Sequence, residues 1–341
     1  MINLISDTVT QPSKDMLKFM IEAETGDDVF QEDPTVIKLE KQLSSSFGKE
    51  DGLFCPSGTM ANQIAIKALT QPLDELICEI NSHVFQFEVG GYSFHSQIAI
   101  QPIVSQTGKL NPELIVNHIR PSNDWFPNSR LVVLENTGNR TGGNYYDLLE
   151  MQSIHQICKQ NGLSLHLDGA RIFNAMVEAG YAPGEVGPLF DTLSICLSKG
   201  LGAPVGSVLI GSKELIQRAR KIRKVMGGGM RQSGLLAAAG LFALEHNVQR
   251  LKEDHRRAKE IESTLLNCAY VADVKKVYTN IIIFNLIETF PAKDFIGLLT
   301  AKGIRASAFG SHSVRMVTHL DISDEMIAKT CQVLQDEIKF P

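Results

Sequence analysis

Cysteine and tryptophan are scarce in this 341-residue chain: six cysteines and one tryptophan. The cysteines show no C-x-x-C spacing, and Cys55, Cys78, Cys158 and Cys196 sit in apolar surroundings, as reduced core thiols do; neither a disulfide framework nor a zinc site is indicated, and no metal is expected. No apolar run approaches the length that spans a bilayer, and no basic region followed by an apolar stretch opens the chain, so a cytoplasmic, membrane-free protein is expected. An excess of basic charge is also missing: the net charge of −5 removes the electrostatic case for a nucleic-acid partner. Basic residues do gather at Arg218, Arg220, Lys221, Arg223 and Lys224, a run that reads first as a solvated or interfacial helix face. There is neither an internal repeat nor a low-complexity segment.

What is present is a long alternation of strand and helix signals. Short Leu/Ile/Val runs near 76–80, 131–134, 163–167, 192–197 and 207–210 read as buried parallel strands. Helices fall between them, one starting at Asp147 with Glu150 in capping-box spacing and stopping at Gly162. The pattern is a doubly wound α/β fold with a mainly parallel sheet. A long helical stretch over 234–266 then leads to a smaller α+β region: strand 280–286, helix 292–302, strand 313–317 and helix 323–338. The expected division is a large domain over 1–246, including the N-terminal segment, and a small domain over 247–341.

Two of these strands end in chemistry. Leu165-His166-Leu167-Asp168-Gly169 and Ser194-Ile195-Cys196-Leu197-Ser198-Lys199-Gly200 put a carboxylate and a lysine at strand ends, where ligands bind in open α/β sheets. A dry setting disfavours an ammonium ion, and a neutral amine can add to a carbonyl. Pyridoxal phosphate is the carbonyl cofactor that pairs such a lysine with a carboxylate at its ring nitrogen. Either residue alone also reads as an ordinary cap. The third component, Cys55-Pro56-Ser57-Gly58-Thr59, opens an amphipathic helix whose free N–H groups would seat a phosphate. Gly200-Leu201-Gly202 follows a strand too, but its spacing and the second strand after it exclude a dinucleotide fingerprint.

Over nearly its whole length the sequence resembles the low-specificity L-threonine aldolases, pyridoxal-phosphate enzymes of the aspartate-aminotransferase fold type. The segments that carry the resemblance include Ser6-Asp7-Thr8-Val9-Thr10, Glu32-Asp33-Pro34-Thr35, Pro56-Ser57-Gly58-Thr59 with Ala61-Asn62, and Glu88 with Gly90-Gly91. Further along stand Leu134-Glu135-Asn136-Thr137, Asp168-Gly169-Ala170-Arg171, Ser198-Lys199-Gly200, Gly227-Gly228-Gly229-Met230-Arg231 and Arg315-Met316-Val317-Thr318-His319. The resemblance implies that Lys199 holds the cofactor, Asp168 keeps its ring nitrogen protonated, and Gly58 and Thr59 bind its phosphate. It places His83 against the ring, as the base or the group that orients a water, and Ser6, Arg171 and Arg315 on the substrate carboxylate, with Arg171 also near the cofactor's phenolic oxygen. Lys224 and Arg231 are implied near a cofactor, reaching a neighbouring subunit's site. The implied reaction is retro-aldol cleavage of L-threonine or L-allo-threonine to glycine and acetaldehyde in a homodimer or homotetramer with shared sites.

The rim departs from the family pattern. Trp125 stands where a histidine is frequent, Phe30 where a tyrosine is common, and Gly138 with Arg140 replaces a frequent His-Asn-Gly triplet. A phenylserine-type aldolase and a β-eliminating lyase therefore stand as alternatives, and a non-catalytic relative of the fold is disfavoured by the presence of Lys199, Asp168, Arg171 and Arg315 together.

Overall fold

The computed structural model describes residues 1–338; the last three residues of the expected small domain lie outside the described residues. Seven strands form the main sheet: β2 (Asp51–Cys55), β3 (Asp74–Glu79), β4 (Ala99–Ile103), β5 (Asn128–Glu135), β6 (Ser164–Gly169), β7 (Thr192–Cys196) and β8 (Ser207–Gly211), after a short N-terminal β1 (Ile2–Asn3). Their order is β2-β8-β7-β6-β5-β3-β4, and only β8 runs against its neighbours. Strands β3, β7 and β8 are buried at every residue, as a sheet covered by helices on both faces requires. The doubly wound α/β architecture is thus as expected.

Local signals account for the helices that matter. Ser57 Oγ accepts the Met60 N–H and caps the helix Gly58–Leu69, which buries Ala61, Ile64, Ala65 and Ala68. Asp147 and Glu150 close a reciprocal capping box on the helix Leu148–Gln160. The single helical stretch expected over 234–266 is two helices, Gly234–His246 and Leu251–Leu265, because Asn247 ends the first and donates its side-chain amide to Leu201 O. The basic run lies on the helix Lys213–Val225, where Arg220 pairs with Glu40 and Arg223 with Asp28 and Phe54 O, so these two hold the helix to the sheet.

A second sheet follows, β12 (Ser307–Ala308), β13 (Ser313–Val317), β10 (Ile281–Leu286) and β9 (Val271–Val274), with a two-stranded pair of β1 and β11 (Ile304–Arg305). It has its own core, built on Phe284, Phe290, Phe295 and Val314, and this core includes Ile2 and Leu4. The N-terminal segment therefore packs with the C-terminal region before it crosses to the main sheet. The last helix, expected over 323–338, is α-helical over Asp324–Gln332 and widens into a π turn over Val333–Glu337, where the Tyr270 hydroxyl donates to Leu334 O.

Candidate active site

The sheet register brings the chemistry to one edge. Glu135 is opposite Asp168 at the ends of β5 and β6, Asp168 is opposite Ser194, Cys196 is opposite Ser207, and Ser207 is opposite Cys55. Lys199 leaves the end of β7, the Ser57-Gly58-Thr59 turn leaves β2, and His83 begins a short helix just after β3. Five chain segments far apart in sequence thus meet at the carboxyl edge of the parallel strands.

Asp168 is buried and accepts the Ala170 N–H at 3.1 Å and the Asn62 side-chain amide at 2.9 Å. The same Asn62 nitrogen donates to Glu88 at 2.9 Å, while Asn62 Oδ1 accepts from Ser194 Oγ at 2.5 Å and faces His166 Nε2 at 3.2 Å. Every hydrogen-bonding position of that amide is filled. Glu88 in turn meets His83 Nδ1 at 2.9 Å, and its other oxygen accepts from Gln63. Burial works against a charged His83, but the Glu88 hydrogen bond and the negative Asp168 outweigh it and raise its pKa above the ordinary 6.5. The ligating atoms of His83, Glu88 and Asp168 lie within 4.8 Å of one another.

Burial, with Asp168 as neighbour, pushes Glu135 up to about 7; its two oxygens accept the backbone N–H groups of His83 and Asn139. His166, deeper in β6, is driven down to about 4 by burial. In the helix turn, Ser57 uses the N–H groups of Met60 and Ala61, leaving those of Gly58 and Thr59 without an acceptor among the described residues. Beside Gly58 the buried hydroxyl of Ser207 has no partner.

Residues 5–7 gather the arginines. Asp7 holds Arg171 by two bonds of 2.7 Å, from Nε and Nη2. Burial opposes ionisation of Asp7, yet Arg171, and after it Lys199, hold its carboxyl well below the usual range. The Nε–Nη2 edge of Arg171, a residue expected on a substrate carboxylate, is thus taken by Asp7. Arg315 donates to Ile5 O and to Asn139 Oδ1, both uncharged, and its Nε is buried without a partner. Ser6, next in the chain to both contacts, caps the turn that follows through Thr8 N. Thr10 Oγ1 reaches Lys199 O at 3.2 Å, fixing the loop that carries the lysine.

Four expected residues lie outside this cluster. Arg231 pairs with Asp27, and Lys224 borders a small cavity with Val29 and Gly229. Phe30 and Trp125 are 68% and 75% exposed. Conversely, Asn62, Glu88, Glu135 and Asp7 have no site role in the sequence reading. Their signal in the sequence is weak: only Asn62, one helical turn after Gly58, stands where the phosphate turn would draw notice to it.

An α/β scaffold with a lysine, a buried carboxylate and a free helix N-terminus at one sheet edge defines an enzyme of the β-eliminating lyase class, and the Beta-eliminating lyase family model matches residues 3–289. Within that class the chain belongs to the low-specificity L-threonine aldolase family. It is 41% identical to the low specificity L-threonine aldolase of Escherichia coli K12, covering 96% of this chain and 97% of that protein. It is 38% identical to a probable low-specificity L-threonine aldolase 2 of Arabidopsis thaliana, over 95% of this chain and 93% of that protein. The fold matches the threonine aldolase structure of Leishmania major with a TM-score of 0.84 at 19% identity, covering 98% of each chain.

Proposed function

We propose that the protein is a pyridoxal-phosphate-dependent aldolase that cleaves a β-hydroxy-L-amino acid, L-threonine or L-allo-threonine, to glycine and an aldehyde. The observation that carries this reading is the convergence of Lys199, Asp168 and the open Gly58–Thr59 N–H groups on one sheet edge, together with Arg315, whose hydrogen bonds go only to uncharged acceptors and whose Nε has none. The residues present fit the cofactor. The unpartnered Ser207 hydroxyl and the two free N–H groups form an anion seat, and Asp168 offers a buried carboxylate for a ring nitrogen. Lys199 would hold its carbonyl.

When bound, the cofactor supplies a protonated pyridine ring that accepts the electron pair released at the substrate α-carbon. Arg315 and Ser6 bind the substrate carboxylate; Arg171, locked by Asp7, secures the segment that carries Ser6. This grip sets which bond at Cα is presented for cleavage. His83, fixed by Glu88 through Nδ1, has Nε2 available to take the β-hydroxyl proton, directly or through a water. The exposed apolar Phe30 and Trp125, with the exposed Lys224 and Arg231, support a homo-oligomer in which a second copy covers these residues. The composition supports a cytoplasmic setting.

Product analysis tests the reading. With the cofactor-loaded protein, L-threonine should give glycine and acetaldehyde in equal amounts. Ammonia and a keto acid in their place would assign β-elimination instead.

A further inference from the structure

The rim of the site holds one cation that the reaction above does not use. Arg140 makes no hydrogen bond or ion pair among the described residues, although its guanidinium is held over two rings, 5.6 Å from the Phe87 centroid and 4.7 Å from that of Phe309. A cation held over aromatic rings keeps its N–H donors, which no protein acceptor takes among the described residues, so they remain available to a planar anion. The two rings also locate it: Phe87 lies 5.6 Å from the His83 ring, and Phe309 carries Arg315 on its ring at 5.4 Å. Arg140 is therefore one aromatic ring away from both the proposed base and the proposed carboxylate-binding arginine.

The charges around it are unbalanced. Arg171 is neutralised by Asp7 and Arg315 is set aside for the α-carboxylate, which leaves Arg140 without an anion. The acids that border Arg140 on one side are otherwise engaged: Glu79 accepts from Asn81, and Glu135 from the His83 and Asn139 backbones. On its other side Arg140 lines a cleft of about 410 Å³ shared with Lys275, Ser105, Thr107, Asn285 and Ser313. Among the described residues no acid lines that cleft; Asp273, two residues before Lys275, accepts from the Asn285 amide and is not in its wall. Two cations set among hydroxyls and amides form a receptor for a carboxylate or phosphate group.

We infer that Arg140 and Lys275 form a subsite for a second acidic group on the β-substituent, so that the enzyme prefers β-hydroxy amino acids with an acidic tail over neutral ones of the same length. This rests on the aldolase reading above. For 3-hydroxyglutamate the balanced step is the same as for threonine: the Cα–Cβ bond breaks, the β-hydroxyl loses its proton, 3-oxopropanoate leaves, and Cα gains a proton to give glycine.

The test compares 3-hydroxyglutamate with its neutral side-chain amide, 3-hydroxyglutamine, using the cofactor-loaded protein and L-threonine as control. The acid should exceed the amide in kcat/KM by about 10- to 100-fold, the size of one charge-assisted contact. Arg140→Gln should bring that ratio close to one, Arg140→Lys should restore part of it, and Lys275→Gln should lower it less. Far-UV circular dichroism of each variant checks its fold. A ratio near one in the unmodified protein, or one that Arg140→Gln leaves unchanged, overturns the subsite while threonine cleavage persists. Loss of all cleavage, threonine included, in the unmodified protein overturns the aldolase reading instead. Calorimetric titration with inorganic phosphate separates the sources of the anion: binding that depends on Arg140, with no preference for the acidic substrate, assigns the cleft to a free anion and overturns the substrate assignment.

Discussion

Asn62 gives one amide proton to Asp168 and one to Glu88, so a single neutral side chain keeps two buried carboxylates apart and oriented. Asn62→Leu should leave both without that donor and weaken cofactor binding by about 10- to 100-fold, the size of one or two buried hydrogen bonds lost; fluorescence titration of the apoprotein with pyridoxal phosphate reads it. Glu88 has a different task. It raises the His83 pKa, so the neutral imidazole proposed as the base needs a higher pH to form than an ordinary histidine would. Glu88→Gln removes that charge, and the acidic limb of the kcat/KM profile should move to lower pH. An unmoved limb would mean that another group titrates.

Among the elements, the strand-to-loop boundaries decide what the site can be. Asp168 and Lys199 are legible in the sequence because each ends an apolar run beside Gly and the Ser57-Gly58-Thr59 turn supplies the third component, without which either reads as a cap; the register of β6 and β7 carries both toward the same edge. Glu135, Asn62 and Glu88 are not legible in that way. Each is one polar residue among many at a strand end or on a helix, and its role arises largely from partners remote in the chain: Asn62 meets Glu88 and Asp168, 26 and 106 positions on, and Glu135 holds the His83 backbone 52 positions before it. Helix breaks are similarly hidden: nothing local to Asn247 announces that its amide will reach Leu201. The loop from Lys199 to β8 depends on Gly206, at φ 112°, where an added Cβ would sit 2.5 Å from Phe54 Cε2. Gly206→Ala should therefore destabilise the protein by at least ~1–2 kcal/mol, read as a lowered Tm, and shift the lysine loop.

For the whole molecule, the N-terminal segment ties the two sheets together. Ile2 and Leu4 are buried in the C-terminal core, while Asp7, three residues on, binds Arg171, just after β6 of the main sheet, and Asn280, just before β10 of the second. Acid should act on this assembly through His166. Its folded pKa of about 4 lies below the ordinary 6.5, so the unfolded chain binds the extra proton first. Stability contributed by the neutral imidazole is complete above pH 6.5 and is lost as pH falls toward 4, amounting to ~3 kcal/mol. Urea denaturation across that range should show a smaller pH slope in His166→Gln than in the unmodified protein. The central claim is that Lys199 is the covalent anchor of a carbonyl cofactor at this sheet edge, and borohydride reduction of the cofactor-loaded protein followed by peptide mass mapping tests it most directly. The mass of a reduced pyridoxyl phosphate group should appear on the peptide containing Lys199; an unmodified Lys199, with the label absent or on another lysine, would contradict it.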